Sequence, residues 1–146
     1  MKVSTKGRYA IRLMIDIGLH DNGYVRLKDV ARRQDISIKY LEQIVSSLHK
    51  ACLLISSRGA QGGYRLVRKP EEYTIGEILK ATEGSIAPVS CLDDEVNQCS
   101  RSATCATVDF WQGLYDVINE YLDSHTLDEL MEIERNNQEE SISYII

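Results

Sequence analysis

Residues 28–67 read KDVARRQDISIKYLEQIVSSLHKACLLISSRGAQGGYRLV, and the fold turns on how this stretch is punctuated. Val30 and Ala31 give a short helix over 28–34 its inward face. Only Asp35, Ile36 and Ser37 separate it from the next helix. Ser37 can cap that helix, which spans 38–51 with Leu41, Ile44, Val45 and Leu48 on one apolar stripe. Two helices joined by so short a gap predict a helix-turn-helix. Beyond residue 51 the pattern becomes that of two strands, 53–57 and 63–67, around the glycine-rich loop Arg58-Gly59-Ala60-Gln61-Gly62. A hairpin in that place is the wing of a winged helix.

Working outward, Ala10, Ile11, Met14, Ile15 and Ile17 recur at helical spacing over 4–20, with Ser4 or Thr5 as cap and Asp21-Asn22-Gly23 as stop. Thr74 and Glu77 form a capping box that opens a helix reaching residue 81. From 83 to 107 no period is visible, and the run holds Gly84, Pro88 and three cysteines; such a stretch inside a compact fold is functional or disordered. Helical spacing returns over 108–122 with Trp111, Leu114, Tyr115, Ile118 and Leu122 on one stripe, too apolar to leave in water. A second capping box at Thr126 and Glu129 precedes a short last helix. The acidic run 132–143 reads as mobile, and Tyr144-Ile145-Ile146 as a strand or a docking segment. The expected fold is mainly α with a small β-hairpin. It divides into a winged helix-turn-helix domain (1–82), a cysteine-bearing loop (83–107), a long C-terminal dimerisation helix with a short last helix (108–131), and an acidic tail (132–146).

Charge divides along the same line. Residues 1–73 carry 14 Lys and Arg against 7 Asp and Glu, a net of +7; residues 74–146 carry 3 against 15, a net of −12. A basic half joined to an acidic half suggests a polyanion-binding module followed by a part that stays off the polyanion. The overall charge of −5 hides this. No apolar run approaches the ~20 residues of a membrane span, and the N-terminus MKVSTKGRYA has no signal-peptide core, so a cytoplasmic protein is expected.

Two motifs carry chemistry. A helix fits the major groove and reads base edges from its first turn, where Ser37, Lys39, Tyr40, Glu42 and Gln43 lie. Glu42 is repelled by phosphate, yet it can accept from a cytosine amino group. At the wing, Arg58 can enter the adjacent minor groove, and Gly59 and Gln61 of the same loop are further candidates for DNA contact. The expected partner is a double-stranded DNA operator, with no small-molecule substrate and no membrane. The second motif is Cys91-x7-Cys99-x5-Cys105. Thiolates bind iron–sulfur clusters and zinc, and a flexible loop lets three converge. Cys52 follows the third helix among apolar residues and reads as a small core residue. His20, His49 and His125 all lie outside the cysteine loop, so zinc or thiol catalysis lacks a base there and no enzyme is expected.

The runs Thr5-Lys6-Gly7-Arg8-Tyr9-Ala10, Ser37-Ile38-Lys39-Tyr40-Leu41-Glu42-Gln43 and Arg58-Gly59-Ala60-Gln61-Gly62-Gly63-Tyr64 resemble the Rrf-two family of bacterial transcription regulators over roughly residues 1–130. The three cysteines before a Trp-bearing helix look most like its iron–sulfur branch, which controls cluster assembly. The resemblance implies a homodimer joined through the long C-terminal helix, DNA binding through the third helix and wing, and an iron–sulfur cluster held by Cys91, Cys99 and Cys105. In that branch a histidine three residues after the last cysteine completes the site; here Val108 stands there, which leaves Asp109 as the candidate fourth ligand. Relatives also take a carboxylate from near residue 8 of the partner chain, where this sequence has the cation Arg8. A [2Fe–2S] cluster is favoured over [4Fe–4S]. Nitric-oxide sensing and regulation of cysteine metabolism are the alternatives within the family, and the second has no need of three cysteines.

Overall fold

The computed structural model describes residues 2–145. Helix α1 (Thr5–Leu19) starts at Ser4, whose hydroxyl accepts from the Gly7 amide at 3.2 Å, and buries Ala10, Leu13, Met14 and Ile17. Helix α2 (Leu27–Gln34) ends at Asp35 in the left-handed region (φ 54°). Helix α3 (Ile38–Lys50) is capped by Ser37, which accepts from the Tyr40 amide, and its stripe Leu41, Ile44, Val45 and Leu48 is buried throughout. These helices enclose one core, and the helix-turn-helix stands where its spacing predicted.

Strands β1 (Leu54–Ser57) and β2 (Gly63–Leu66) pair antiparallel from Leu54 opposite Leu66 to Ser57 opposite Gly63. Tyr73 is fully buried behind the hairpin. Its hydroxyl donates to the Leu53 carbonyl (2.9 Å) and accepts from the amides of Val67 (2.9 Å) and Arg68 (3.2 Å), which ties both strand ends to the core. The capping box appears as read: Thr74 and Glu77 satisfy each other's amides at 3.1 and 3.0 Å, opening α4 (Ile75–Glu83).

The loop that follows contains two 3-10 turns, Ser90–Leu92 and Ser102–Thr104. Helix α5 (Val108–Ser124) buries no residue fully. Its stripe Trp111, Leu114, Tyr115, Ile118 and Leu122 is half-buried. Phe110, Val117 and Tyr121 stay exposed at 68%, 63% and 65%. Helix α6 (Leu127–Ile145) docks by Leu127 and Met131. No helix among the described residues is long and apolar enough to cross a membrane.

Two expectations need correction. Cys52 is exposed rather than in the core. It takes φ 58° at the end of α3, where its amide donates to the His49 carbonyl and the next amide, of Leu53, donates to Leu48. This is a Schellman turn with cysteine in the usual glycine place, and it points the thiol to solvent. The last helix does not stop near 131 but runs to Ile145, so 132–145 is helical, with no strand at Tyr144-Ile145. Its polar residues are adequate helix formers supported by side-chain pairs such as Arg135 with Glu132 (2.9 Å) and Gln138 with Glu134 (3.1 Å). Ile146 lies outside the described residues.

Candidate nucleic-acid interface and cysteine pocket

On α3, Lys39, Glu42 and Gln43 are exposed on the side opposite the buried stripe. Ser37 is exposed too, but its hydroxyl is engaged as the cap. Tyr40 is half-buried, edge-on to Tyr9 with ring centroids 5.8 Å apart. The first turn of α3 therefore leans on α1 while its polar tips face water.

The wing loop is wholly solvent-facing from Arg58 to Gln61, with Gly59 at φ 98°. Its return is built on two glycines. A Cβ on Gly62 would run into the Ser57 carbonyl, and Gly63, at φ 149°, leaves no room against the Val25 carbonyl. Val25 pairs with Tyr64 through two 2.8 Å backbone bonds, and Arg26 donates to the Ala60 carbonyl at the loop tip. The hairpin is thus latched to the entrance of α2. Sequence reading missed Arg26 and Tyr9; nothing in their spacing marks them.

The three loop cysteines share one pocket of about 110 Å³. Val89, Val108 and Trp111 supply apolar walls, and Asn97, Ser102 and Thr107 polar ones. Each cysteine is placed by a local turn. Cys91 sits within the first 3-10 turn, the Cys99 amide donates to Asn97 Oδ1 (2.9 Å), and Cys105 follows the second 3-10 turn. Cys105 Sγ lies 3.4 Å from Thr107 Oγ1. The Thr107 hydroxyl, and after it the backbone amides of Thr107 and Val108, hold the Cys105 thiol below the ordinary thiol range. Asp109, exposed on the first turn of α5, is not on the pocket wall.

Among the described residues no three His, Cys, Asp or Glu side chains are gathered as for a single metal ion. A cluster makes a different demand, because its ligands are spread over two or more irons and need not all meet at one point. Three thiols around one small, partly apolar pocket fit that demand, with no histidine or carboxylate on the wall for a fourth position.

The Rrf2 family, described as iron-dependent transcriptional regulators, matches residues 3–133. The chain belongs to the Rrf2 family. It is 42% identical over 132 residues to the HTH-type transcriptional regulator IscR of Aliivibrio salmonicida, covering 90% of this chain and 77% of that one. It is 40% identical over 146 residues to CymR of Bacillus subtilis, covering 99% and 100%. The solved structure of CymR, called the global cysteine regulator of that organism, superposes with a TM-score of 0.73 at 38% identity, covering 91% of this chain and 98% of that one. This Rrf2-family transcription regulator has the winged-helix fold its sequence announced.

Proposed function

We propose that this Rrf2-family regulator is a cytoplasmic homodimer that binds a double-stranded DNA operator and senses iron–sulfur status, controlling cluster-assembly genes. One observation carries the sensing role: Cys91, Cys99 and Cys105 line a single pocket. They would hold the cluster, [2Fe–2S] in preference to [4Fe–4S], with Asp109 moving in from the first turn of α5 as fourth ligand. When bound, the cluster supplies an iron centre sensitive to redox state and iron supply. Thr107 Oγ1, 3.4 Å from Cys105 Sγ, is the first cause of that thiol's lowered pKa, which favours the thiolate a cluster would need. Trp111 and Val108 line the pocket on the α5 side.

For DNA, Lys39, Tyr40, Glu42 and Gln43 of α3 would meet base edges, with Ser37 fixing the start of that helix. Arg58, with Gly59 and Gln61, would reach the minor groove. The second subunit would cover Phe110, Val117 and Tyr121 of α5, which the single chain leaves in water.

A second reading, regulation of cysteine metabolism, is supported by similarity: the chain is 40% identical to CymR and 42% identical to IscR. Visible absorption of anaerobically purified protein separates the two. Brown or red protein with iron and sulfide is expected; colourless protein would support the second reading.

A further inference from the structure

Asp16 is the only charged side chain that the fold buries among the described residues, at 2% exposure. It lies on the inner face of α1 between Leu13 and Ile17, where an apolar residue would pack without the cost of desolvating a carboxylate. Its partners lie on the last turn of α2. Arg33 grips it with a fork, Nε 3.0 Å from Oδ2 and Nη2 2.6 Å from Oδ1, and Gln34 Nε2 donates to Oδ2 at 2.9 Å. The carboxylate in turn holds the Arg33 guanidinium above its ordinary pKa. His20 Nδ1 lies 2.7 Å from the Asp16 backbone carbonyl and 3.6 Å from Oδ1.

One turn earlier on α1, Arg12 donates to Gln34 Oε1 at 3.1 Å and to the Gln34 carbonyl. The Gln34 amide is therefore held at both ends by α1. The next residue, Asp35, makes the left-handed turn, and two residues later Ser37 starts α3. We propose that Asp16 and Gln34 are positioning residues for DNA reading: this clamp sets the angle at which α3 leaves α2. A forked ion pair and a doubly held amide are directional, whereas apolar contact alone tolerates sliding. The inference rests on α3 being the DNA-reading helix, and on it neither Asp16 nor Gln34 touches DNA.

The test uses the full-length protein, an operator selected by the wild-type dimer from a randomised duplex pool, and a random-sequence duplex as second probe. Binding is measured at a temperature where circular dichroism shows each variant folded. Asp16→Asn sets an amide NH2 against Arg33 and Gln34. Gln34→Met removes both amide bonds and leaves the Asp16–Arg33 pair intact. Each should lower operator affinity roughly tenfold, the worth of one good base contact. Affinity for the random duplex, which depends on phosphate charge, should stay within about twofold. The ratio of the two affinities is the readout, because a role in stability alone would not move it in folded protein. Equal loss on both duplexes, or operator binding unchanged in Gln34→Met, overturns the proposal. If Asp16→Asn does not fold, Gln34→Met decides. A wild-type protein that selects no operator overturns the DNA-binding reading itself, a result distinct from any difference between variants.

Discussion

Replacing Tyr73 with Phe removes one oxygen and nothing else: the ring still fills its place, and Arg68 can still lie over it at 4.4 Å from the centroid. The lost hydroxyl made three bonds, to the Leu53 carbonyl and the amides of Val67 and Arg68. The bond to Leu53 is fully buried, so its carbonyl would be stranded; the two amides are only partly buried and water can reach them. A stranded buried group costs ~1–3 kcal/mol, and with two weakened amides the whole change comes to ~2–4 kcal/mol. At ~2–4 °C per kcal/mol for a chain of this size, Tm should fall by about 4–16 °C. Thermal denaturation followed by far-ultraviolet circular dichroism reads this directly. A Tm within about 2 °C of wild type would mean that the hydroxyl does not hold the hairpin base, and the argument that Tyr73 seats the wing would fail.

Arg58→Ala should cost ~1–3 kcal/mol of operator affinity and flatten the salt dependence by about one unit if the wing cation meets DNA; folded mutant with wild-type affinity and slope would remove Arg58 from the interface. Cys91→Ala, Cys99→Ala and Cys105→Ala should each abolish visible absorption, since two thiolates are too few to hold a cluster in this loop. Cys52→Ala should leave absorption intact, because that exposed thiol lies outside the pocket, and Asp109→Ala should give a cluster that forms but is lost faster. Bleaching by Cys52→Ala but not by Cys91→Ala would refute the assignment. Val117→Glu with Tyr121→Glu puts two carboxylates on the exposed face of α5 and should give monomers in sedimentation; a persistent dimer would place the interface elsewhere.

The winged helix was legible because local signals agreed with one another. Ser37 before the 41-44-45-48 stripe, the glycine-rich turn after a strand-like run, and the Thr74–Glu77 box each specify one conformation from residues close in sequence. Where a long-range contact decides, the signal is weaker. Asp16 shows this: the apolar stripe of α1 gives no sign that this carboxylate is buried, because its partners Arg33 and Gln34 lie on another helix. Cys52 misled for a local reason, since the Schellman turn ordinarily takes glycine and its neighbours Leu53 and Leu54 are buried. The capping box at Thr126 and Glu129 marked the start of α6, but its extension hid because a helix that leaves the core after Met131 needs no apolar stripe.

The cysteine loop is the opposite case, a place where the absence of a period was itself informative. Its backbone is organised by short turns rather than by a repeating stripe, and each turn delivers one thiol to the same pocket. The loop is also tied to the basic half at its first residue. Glu83, at the end of α4, accepts from the Ser4 amide at 3.0 Å at the start of α1, and its carboxylate packs against Gly7. From there Lys6 donates to Ser47 on α3 at 2.8 Å, and Tyr9 rests on Tyr40. The two halves that charge separates are thus joined through α1, by contacts between residues some eighty positions apart that no pattern in either half could have signalled.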